Sequence, residues 1–456
     1  MAPSIEFWRH DSFTYLRAPG VDLRAKIEGR WINVPLFPLL RRLDPLLTWY
    51  AVSFLTLAGL YFLFTALRLD RLTALGLATL GSLFPGVIAQ SLWPFVTLSA
   101  VSCLLASIVL LKRFGLWGVP LAGIIQFATL SYYFYLLPLM LLPGRVLQGF
   151  RESLSAALLG VFWAACLILG FLVSSTWNLI FYGEFGVQIG EFRKLKSITE
   201  SSSTVEKASI YAGEIYADVA AWLPWWSILI YLLVIGFALY RWWSSSRDSW
   251  GLIVRTSYCI VVALSPYITV FIASLRVEFR SLLPLAIGTI ALPFLIVARD
   301  QRSVLTDRCT MIALAIAIGV PSFQASYRAM DWYTSTSSAI ASALLSNNNH
   351  PASGFSKAAI DVRKWSSFYP AVLASFDSRP FPDPFLNTLD RPFVVKAAYV
   401  EQLGVQKIQL CPVRAGDPLS DQCAAWFEQE ETQCVAAPGT SCYGGRDDKI
   451  LLFRVH

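Results

Sequence analysis

Histidine and methionine are scarce in this chain, with three and four copies in 456 residues, and charged residues make up only 15%. The histidines, His10, His350 and His456, stand too far apart for metal-ligand spacing. No G-x-x-x-x-G-K-[ST] loop, no G-x-G-x-x-G after a strand and no G-x-S-x-G elbow occurs, so nucleotide-driven transport and serine-hydrolase chemistry lose their sequence basis. Also missing is a basic stretch followed by an apolar one between Met1 and Arg9, so no signal peptide is read there. What is plentiful is apolar surface, 55% of residues against about 45–50% in soluble domains. The excess implies burial in lipid.

The net charge of +7 is a sum of flanking residues rather than a nucleic-acid-binding face. Charges crowd into residues 1 to 45, 184 to 218 and 326 to 456, and many Lys and Arg border apolar runs as topogenic markers. Of eight cysteines, Cys103, Cys166, Cys259 and Cys309 lie in apolar runs, whereas Cys411, Cys423, Cys434 and Cys442 cluster in the polar tail. The tail has neither C-x-x-C spacing nor an interspersed His, so disulfides are expected there, with three possible connectivities, outside the cytoplasm.

Apolar runs long enough to cross a bilayer occupy about 46–67, 72–90, 93–111, 153–174, 223–240, 252–274, 282–298 and 308–325. The stretch from Leu116 to Leu142 is too long for one crossing. The positive-inside rule puts the basic loops Arg68 to Arg71, Lys112 with Arg113, Arg145 to Arg151, Arg241 to Arg247 and Arg299 to Arg308 in the cytoplasm. That parity makes 116–142 a hairpin turning near Ser131 to Tyr133, with Pro120 and Pro138 breaking its arms. The expected fold class is a polytopic α-helical membrane protein of about ten segments. Residues 1–45 form an external N-terminal segment, 46–325 the transmembrane domain with an external loop at 175–222, and 326–456 an extracytoplasmic C-terminal α+β domain. An external start without a preceding hydrophobic segment implies a further helix upstream. Within the tail, Phe393 to Val400 and Lys449 to Val455 read as strands, and Ser197 to Thr204 as a mobile loop.

Candidate chemistry collects at the external boundary. Asp11, Asp22, Arg24 and the step Gly29-Arg30-Trp31 precede the first crossing, where a carboxylate can deprotonate an acceptor hydroxyl and guanidinia can neutralise a phosphate. Equally, such a segment can be a solvated interfacial one. Arg276 and Arg280 defy the positive-inside rule, and if the preceding helix continues they share a face at i and i+4, with Glu278 on another. Snorkelling with a local ion pair is the plainer reading. Gln90, Trp93, Gln126, Tyr132 and Tyr133 are weaker pointers near outer helix ends. No cofactor is identified; a divalent cation could help neutralise phosphate, although no ligand set is readable. Tail aromatics such as Trp332, Trp365 and Trp426 suit stacking on sugar rings.

The Asp-bearing external loop, the Gly-Arg step, the many-crossing body and the polar tail together resemble polyprenyl-phosphate-dependent glycosyltransferases of the GT-C type. Specifically, residues 8–40 are similar to the serotype-converting O-antigen glucosyltransferase type II family. Asp11 matches one acid of that family's pair, with His10 or Ser12 where the second is found, and Trp31 stands where its Gly-Arg-Pro-Leu step has proline. The resemblance implies a multi-pass protein of the bacterial inner membrane with its C-terminal domain in the periplasm. It implies transfer of a hexose, glucosyl in that family, from a polyprenyl-phosphate donor to a glycan acceptor such as O-antigen. Asp11 would be the general base with Asp22 in reserve, and Arg24, Arg30, Arg276 and Arg280 would hold the carrier phosphate. Competing readings are a transporter or flippase of glycans or lipid-linked sugars, and an O-antigen polymerase.

Overall fold

The computed structural model describes residues 29–40, 43, 45–90, 94–142, 147, 149–187, 195, 197–198, 202–245, 248–271, 273–298, 302–328, 331–332, 335, 357–361, 365–375, 407–411, 441–446 and 450–455. The chain divides into two compact units, Ala18–Ser326 and Met1–Arg17 with Tyr327–His456.

The larger unit is helical. Its order is α1 (Asn33–Leu40), α2 (Pro45–Ala66), α3 (Arg71–Ser82), α4 (Pro85–Gln90), α5 (Pro94–Phe114), α6 (Gly118–Phe127), a 3-10 segment (Ser131–Leu136), α7 (Pro138–Leu141) and α8 (Gly149–Tyr182). Then come α9 (Thr204–Trp222), α10 (Trp225–Ser245), α11 (Ser249–Phe271), a 3-10 turn (Phe279–Ser281), α12 (Leu283–Ile296) and α13, which starts at Val304 and passes through a π-helical turn at Ala315–Gly319. Six helical runs are long and apolar enough to cross a membrane. Large apolar side chains such as Leu158, Val161, Ile180, Leu232 and Leu233 lie exposed on α8 and α10, a surface that suits contact with lipid. This is a multi-pass membrane protein.

Several expected runs are shaped otherwise than their composition suggests. The 72–90 run is two helices, because Pro85 lacks an amide hydrogen and its ring excludes the preceding turn, so α3 stops at Ser82 and α4 begins anew. The 282–298 run is the 14-residue α12, too short to span alone but buried on almost every face, so it meets protein rather than lipid. Gly288 lets it approach α11 closely, since a Cβ there would lie 2.7 Å from Ala263 Cβ. The helical run Val96–Phe127 turns back on itself rather than crossing once. Gly115 takes φ +57, and the arms then pair antiparallel, with Gln126 Nε2 donating to Ser107 Oγ at 3.3 Å. Gln126 is thus interior glue between α5 and α6, not an outer-end residue. Pro120 and Pro138 sit in the first turns of α6 and α7, where a missing amide hydrogen is harmless; the reversal falls at 128–130.

Contacts sort the helix ends into two groups. At one end Arg302 Nη2 donates to Leu67 O at 2.9 Å, Arg308 pairs with Asp70 at 3.2 Å and Arg241 reaches Thr306 at 3.2 Å. There, too, Lys112 lies 4.6 Å over the Phe62 ring, and the buried Arg255 pairs with Asp248 at 3.4 Å while capping the C-terminus of α12 through Leu295 O. The described basic loops therefore meet at a single end of the bundle.

In the second unit, β1 (Lys357–Asp361), α14 (Trp365–Ser375), β2 (Lys407–Cys411), β3 (Ser441–Arg446) and β4 (Ile450–Val455) include a four-stranded sheet of order β2-β1-β4-β3. β1 runs parallel to both neighbours, and β3 is antiparallel to β4. The expected strand at Lys449 to Val455 is β4, whereas Phe393 to Val400 lies outside the described residues. Cys411 is disulfide-bonded, and Cys103, Cys166, Cys259 and Cys309 carry free thiols.

Candidate functional site

The end of the bundle away from the basic loops is built around the Gly29-Arg30-Trp31 step. Gly29 has φ +77, and an added Cβ would stand 2.6 Å from Val187 Cγ1, so both backbone sign and space call for glycine. Backbone bonds from Asn33 to Arg30 O (3.0 Å) and from Val34 to Trp31 O (3.3 Å) then launch α1. The Trp31 indole stacks on Trp177 at 4.6 Å and 17°, and its Nε1 donates to Ser174 Oγ at 3.3 Å. Both partners belong to α8, which continues eight residues beyond the expected crossing limit of 174 and so supplies the platform. Asn178 Nδ2 ties the chain after α8 back through Gly186 O at 2.7 Å. Arg30, the residue before Trp31, is half-buried.

From α1 the polar contacts run inward. Asn33, fully buried, meets Ser99 Oγ of α5 at 2.5 Å, while that same hydroxyl bonds Val96 O at 2.8 Å. A serine hydroxyl has one proton, so Ser99 Oγ shares it between two acceptors, Asn33 Oδ1 and Val96 O. Two residues earlier, Thr97 donates to Gln90 O at 3.0 Å, and Gln90 Oε1 accepts from Tyr133 at 3.0 Å. The 279–281 turn packs on α4 as well, for a Cβ on Gly86 would lie 2.9 Å from Phe279 O. One connected set of contacts thus links the Gly-Arg-Trp step to the turn bearing Arg280.

The same end holds α9, which falls in the expected external loop 175–222. It forms because Ser203 accepts from Glu206 N at 3.2 Å as an N-cap, and because Tyr211, Asp218 and Trp222 recur at helical spacing on one buried face. Tyr211 Oη donates to Leu275 O at 2.7 Å, and Trp222 Nε1 donates to Ser322 Oγ at 2.8 Å. Asp218, 7% exposed, accepts from Tyr267 Oη at 2.5 Å. Burial pushes the Asp218 carboxyl up to about 6, with Glu214 adding repulsion while the Tyr267 hydrogen bond and Arg276 oppose the shift. Tyr211 rises to about 12 through burial, reinforced by Glu214.

The condition for a helical pair of Arg276 and Arg280, continuation of the preceding helix, is not met. α11 ends at Phe271, Ser274 takes φ +53, and the segment 276–278 is non-helical before the 3-10 turn begins at Phe279. The Tyr211 hydroxyl meets the carbonyls of both Val270 and Leu275, which fixes the chain where it leaves the helix. Arg276 is exposed and faces the electrostatic influence of Asp218. Arg280 is placed by its backbone in the turn. Asp11, Asp22 and Arg24 lie outside the described residues.

No family model, curated protein or solved structure matches this chain.

Asp218 is the functional-type carboxylate that the sequence reading missed. The signal was present: Tyr211, Glu214, Asp218 and Trp222 follow the three- and four-residue spacing of a helix face, with an acid among aromatics. Chemically, this end sets the exposed Arg276 guanidinium within electrostatic reach of the buried Asp218 carboxyl, a combination suited to anion binding and proton handling. Among the described residues, no three His, Cys, Asp or Glu side chains gather to hold a metal ion.

Proposed function

We propose that the chain is a membrane glycosyltransferase that moves a hexose, glucosyl by resemblance, from a polyprenyl-phosphate carrier to a periplasmic glycan such as O-antigen. In this reading the acceptor hydroxyl attacks the anomeric carbon, the bond from that carbon to the phosphate oxygen breaks, and Asp11 takes the hydroxyl proton, with Asp22 as the alternative base. Arg24, Arg30, Arg276 and Arg280 neutralise the departing carrier phosphate. The body is read as a GT-C-like bundle of ten segments in the bacterial inner membrane, with the α3–α4 pair as one broken crossing and α6 to α7 as a re-entrant hairpin. The polar C-terminal α+β domain is read as periplasmic.

The observation that carries this reading is the division of chemistry between the two ends of the bundle. The basic loops gather at one end, as cytoplasmic loops do. The Gly29-Arg30-Trp31 step, stacked through Trp31 on Trp177, and the Arg276–Arg280 segment belong to the connected contacts at the other. A transporter or flippase calls for ionisable groups near mid-membrane. Among the described residues, charged side chains of the crossing helices such as Lys112, Arg151, Asp307 and Arg308 lie near helix ends on the basic side instead, and Arg328 lies at the opposite end of α13.

The test is transfer of labelled sugar from a synthetic polyprenyl-phosphate donor to a glycan acceptor by purified protein. Wild type should transfer, and Asp11→Asn and Arg280→Ala should both lose transfer while remaining folded. A folded wild type without transfer, supplied with an upstream helix, would move the reading to transport; full activity in Asp11→Asn would remove that residue as the base.

A further inference from the structure

The turn between α2 and α3, Leu67 to Asp70, is closed by two arginines from more than two hundred residues away. Arg302 Nη2 donates to Leu67 O at 2.9 Å, and Arg308 Nη2 bonds Asp70 Oδ1 at 3.2 Å. Arg302 is left incomplete by this contact, because its Nε and Nη1 are buried and have no hydrogen-bond partner. A guanidinium has five N–H donors and stays charged, and leaving buried donors unmade is among the costlier arrangements a fold can hold. Asp307 attracts Arg302 electrostatically, while burial and Arg255 weigh against the charge and pull its pKa down. Asp307 and Asp70 lie nearby, yet neither accepts from Arg302 Nε or Nη1, two donors that suit an anion with several acceptor oxygens.

The surroundings indicate where that anion comes from. In the same turn Arg68 and Arg71 are exposed. On α13, Leu305, Arg308 and Ile312 share one helical face, with Leu305 73% and Ile312 55% exposed. On α3, Leu72 and Leu75 are 59% and 45% exposed, one turn beyond Asp70. The Arg302 and Arg308 guanidinia therefore lie beside exposed apolar side chains of α3 and α13, at the basic end that the positive-inside rule assigns to the anionic cytoplasmic leaflet.

We infer that Arg302, with Arg308 and the Leu67–Asp70 turn, forms a binding site for the phosphate of an anionic phospholipid, whose acyl chains lie along the exposed faces of α3 and α13. The phosphate accepts from the unfilled Arg302 nitrogens and stabilises the clasp that joins the start of α13 to the α2–α3 turn. This site is independent of the proposed glycosyl transfer and stands or falls without it.

The experiment is native mass spectrometry of the full chain, purified in detergent and exposed to equal amounts of phosphatidylglycerol and phosphatidylcholine, alongside thermal unfolding in each lipid. Wild type should retain one phosphatidylglycerol with a preference of about fivefold or more, and be stabilised by it. Arg302→Gln should lose both effects, whereas Arg113→Gln, an exposed arginine at the same end, should keep them. Should Arg302→Gln fail to fold, Arg302→Lys, which keeps the charge but not the planar fork, should retain the lipid more weakly than wild type. Equal retention of the two lipids, or retention indifferent to Arg302, overturns the proposal. Displacement of the bound lipid by millimolar inorganic phosphate would assign the site to a soluble anion instead and overturn the lipid.

Discussion

The hydroxyl of Tyr267 on α11 donates to the carboxyl of Asp218 on α9 across 2.5 Å, so the only titrating group in that contact near neutral pH also anchors the helix that carries it. Burial raises the Asp218 pKa to about 6 from the ordinary 3.8. Because the folded value exceeds the unfolded one, the fold prefers the protonated acid, and this contribution is complete below about pH 4 and lost as pH rises through 6. A shift of two units corresponds to about 1–3 kcal/mol.

Docking of α9 should accordingly tighten as pH falls. Amide exchange across Thr204–Trp222, corrected for intrinsic rates, should be slower relative to α11 at pH 5 than at pH 7.5. Asp218→Asn, which keeps a hydrogen-bond acceptor for Tyr267 but cannot ionise, should abolish that difference. A pH response of unchanged size in Asp218→Asn would show that another group supplies it.

Much of the membrane body was legible because lipid exposure demands long apolar runs and the loops carry their charges openly. Less legible were the places where tertiary contacts override composition. The stop of α11 at Phe271 depends on Tyr211, some sixty residues upstream, whose hydroxyl meets the carbonyls of Val270 and Leu275. No local pattern near Arg276 announces that contact, so the sequence leaves open whether the helix continues to Arg280. α12 had the apolar length of a crossing, yet burial on nearly all faces allows it only 14 residues. At the candidate site the Gly-Arg step was readable as a turn into a helix. The Trp31–Trp177 stack was not, because it joins residues that only the folded bundle brings together.

Arg30 is positioned by its neighbour, so Trp31→Ala should impair the proposed transfer without unfolding the protein. The change removes a stacked indole and the bond to Ser174. Displacement of a positioned group by an ångström can cost about 10²-fold in rate. Trp31→Phe, which keeps a stacking ring, should recover most of the rate in the labelled-sugar assay. Equal activity in Trp31→Ala and wild type would separate Arg30 from the chemistry.

Asp248 and Arg255 form a buried ion pair at the basic end, and each has a second task. Asp248 Oδ1 accepts from Gly251 N at 2.9 Å and Oδ2 from Leu147 N at 3.1 Å, while Arg255 Nε donates to Leu295 O at 2.8 Å. Asp248→Ala should therefore cost about 3–5 kcal/mol by stranding a buried cation, with loss of the α11 cap included. Arg255→Met combined with Asp248→Ala should be less destabilised than the sum of the single changes, a coupling readable in thermal unfolding of the purified protein. Strict additivity would mean that the two charges do not sense one another.

The hairpin of α6 and α7 depends on two glycines meeting face to face. A Cβ on Gly123 would come within 2.5 Å of Cys166 O, and one on Gly170 within 2.6 Å of Gly123 O, so α6 lies on α8 at backbone contact. Alanine at either position should cost about 1–3 kcal/mol through overpacking, and leucine more. The hairpin tip gives a direct readout, because Thr129 is fully buried. In a background with Cys103 and Cys309 replaced by serine, a thiol introduced as Thr129→Cys should resist a membrane-impermeant maleimide and become reactive in Gly170→Leu. Rapid labelling already present in the parent would mean that the tip reaches water, and the segment would then be a pair of complete crossings rather than a re-entrant hairpin held inside the bundle.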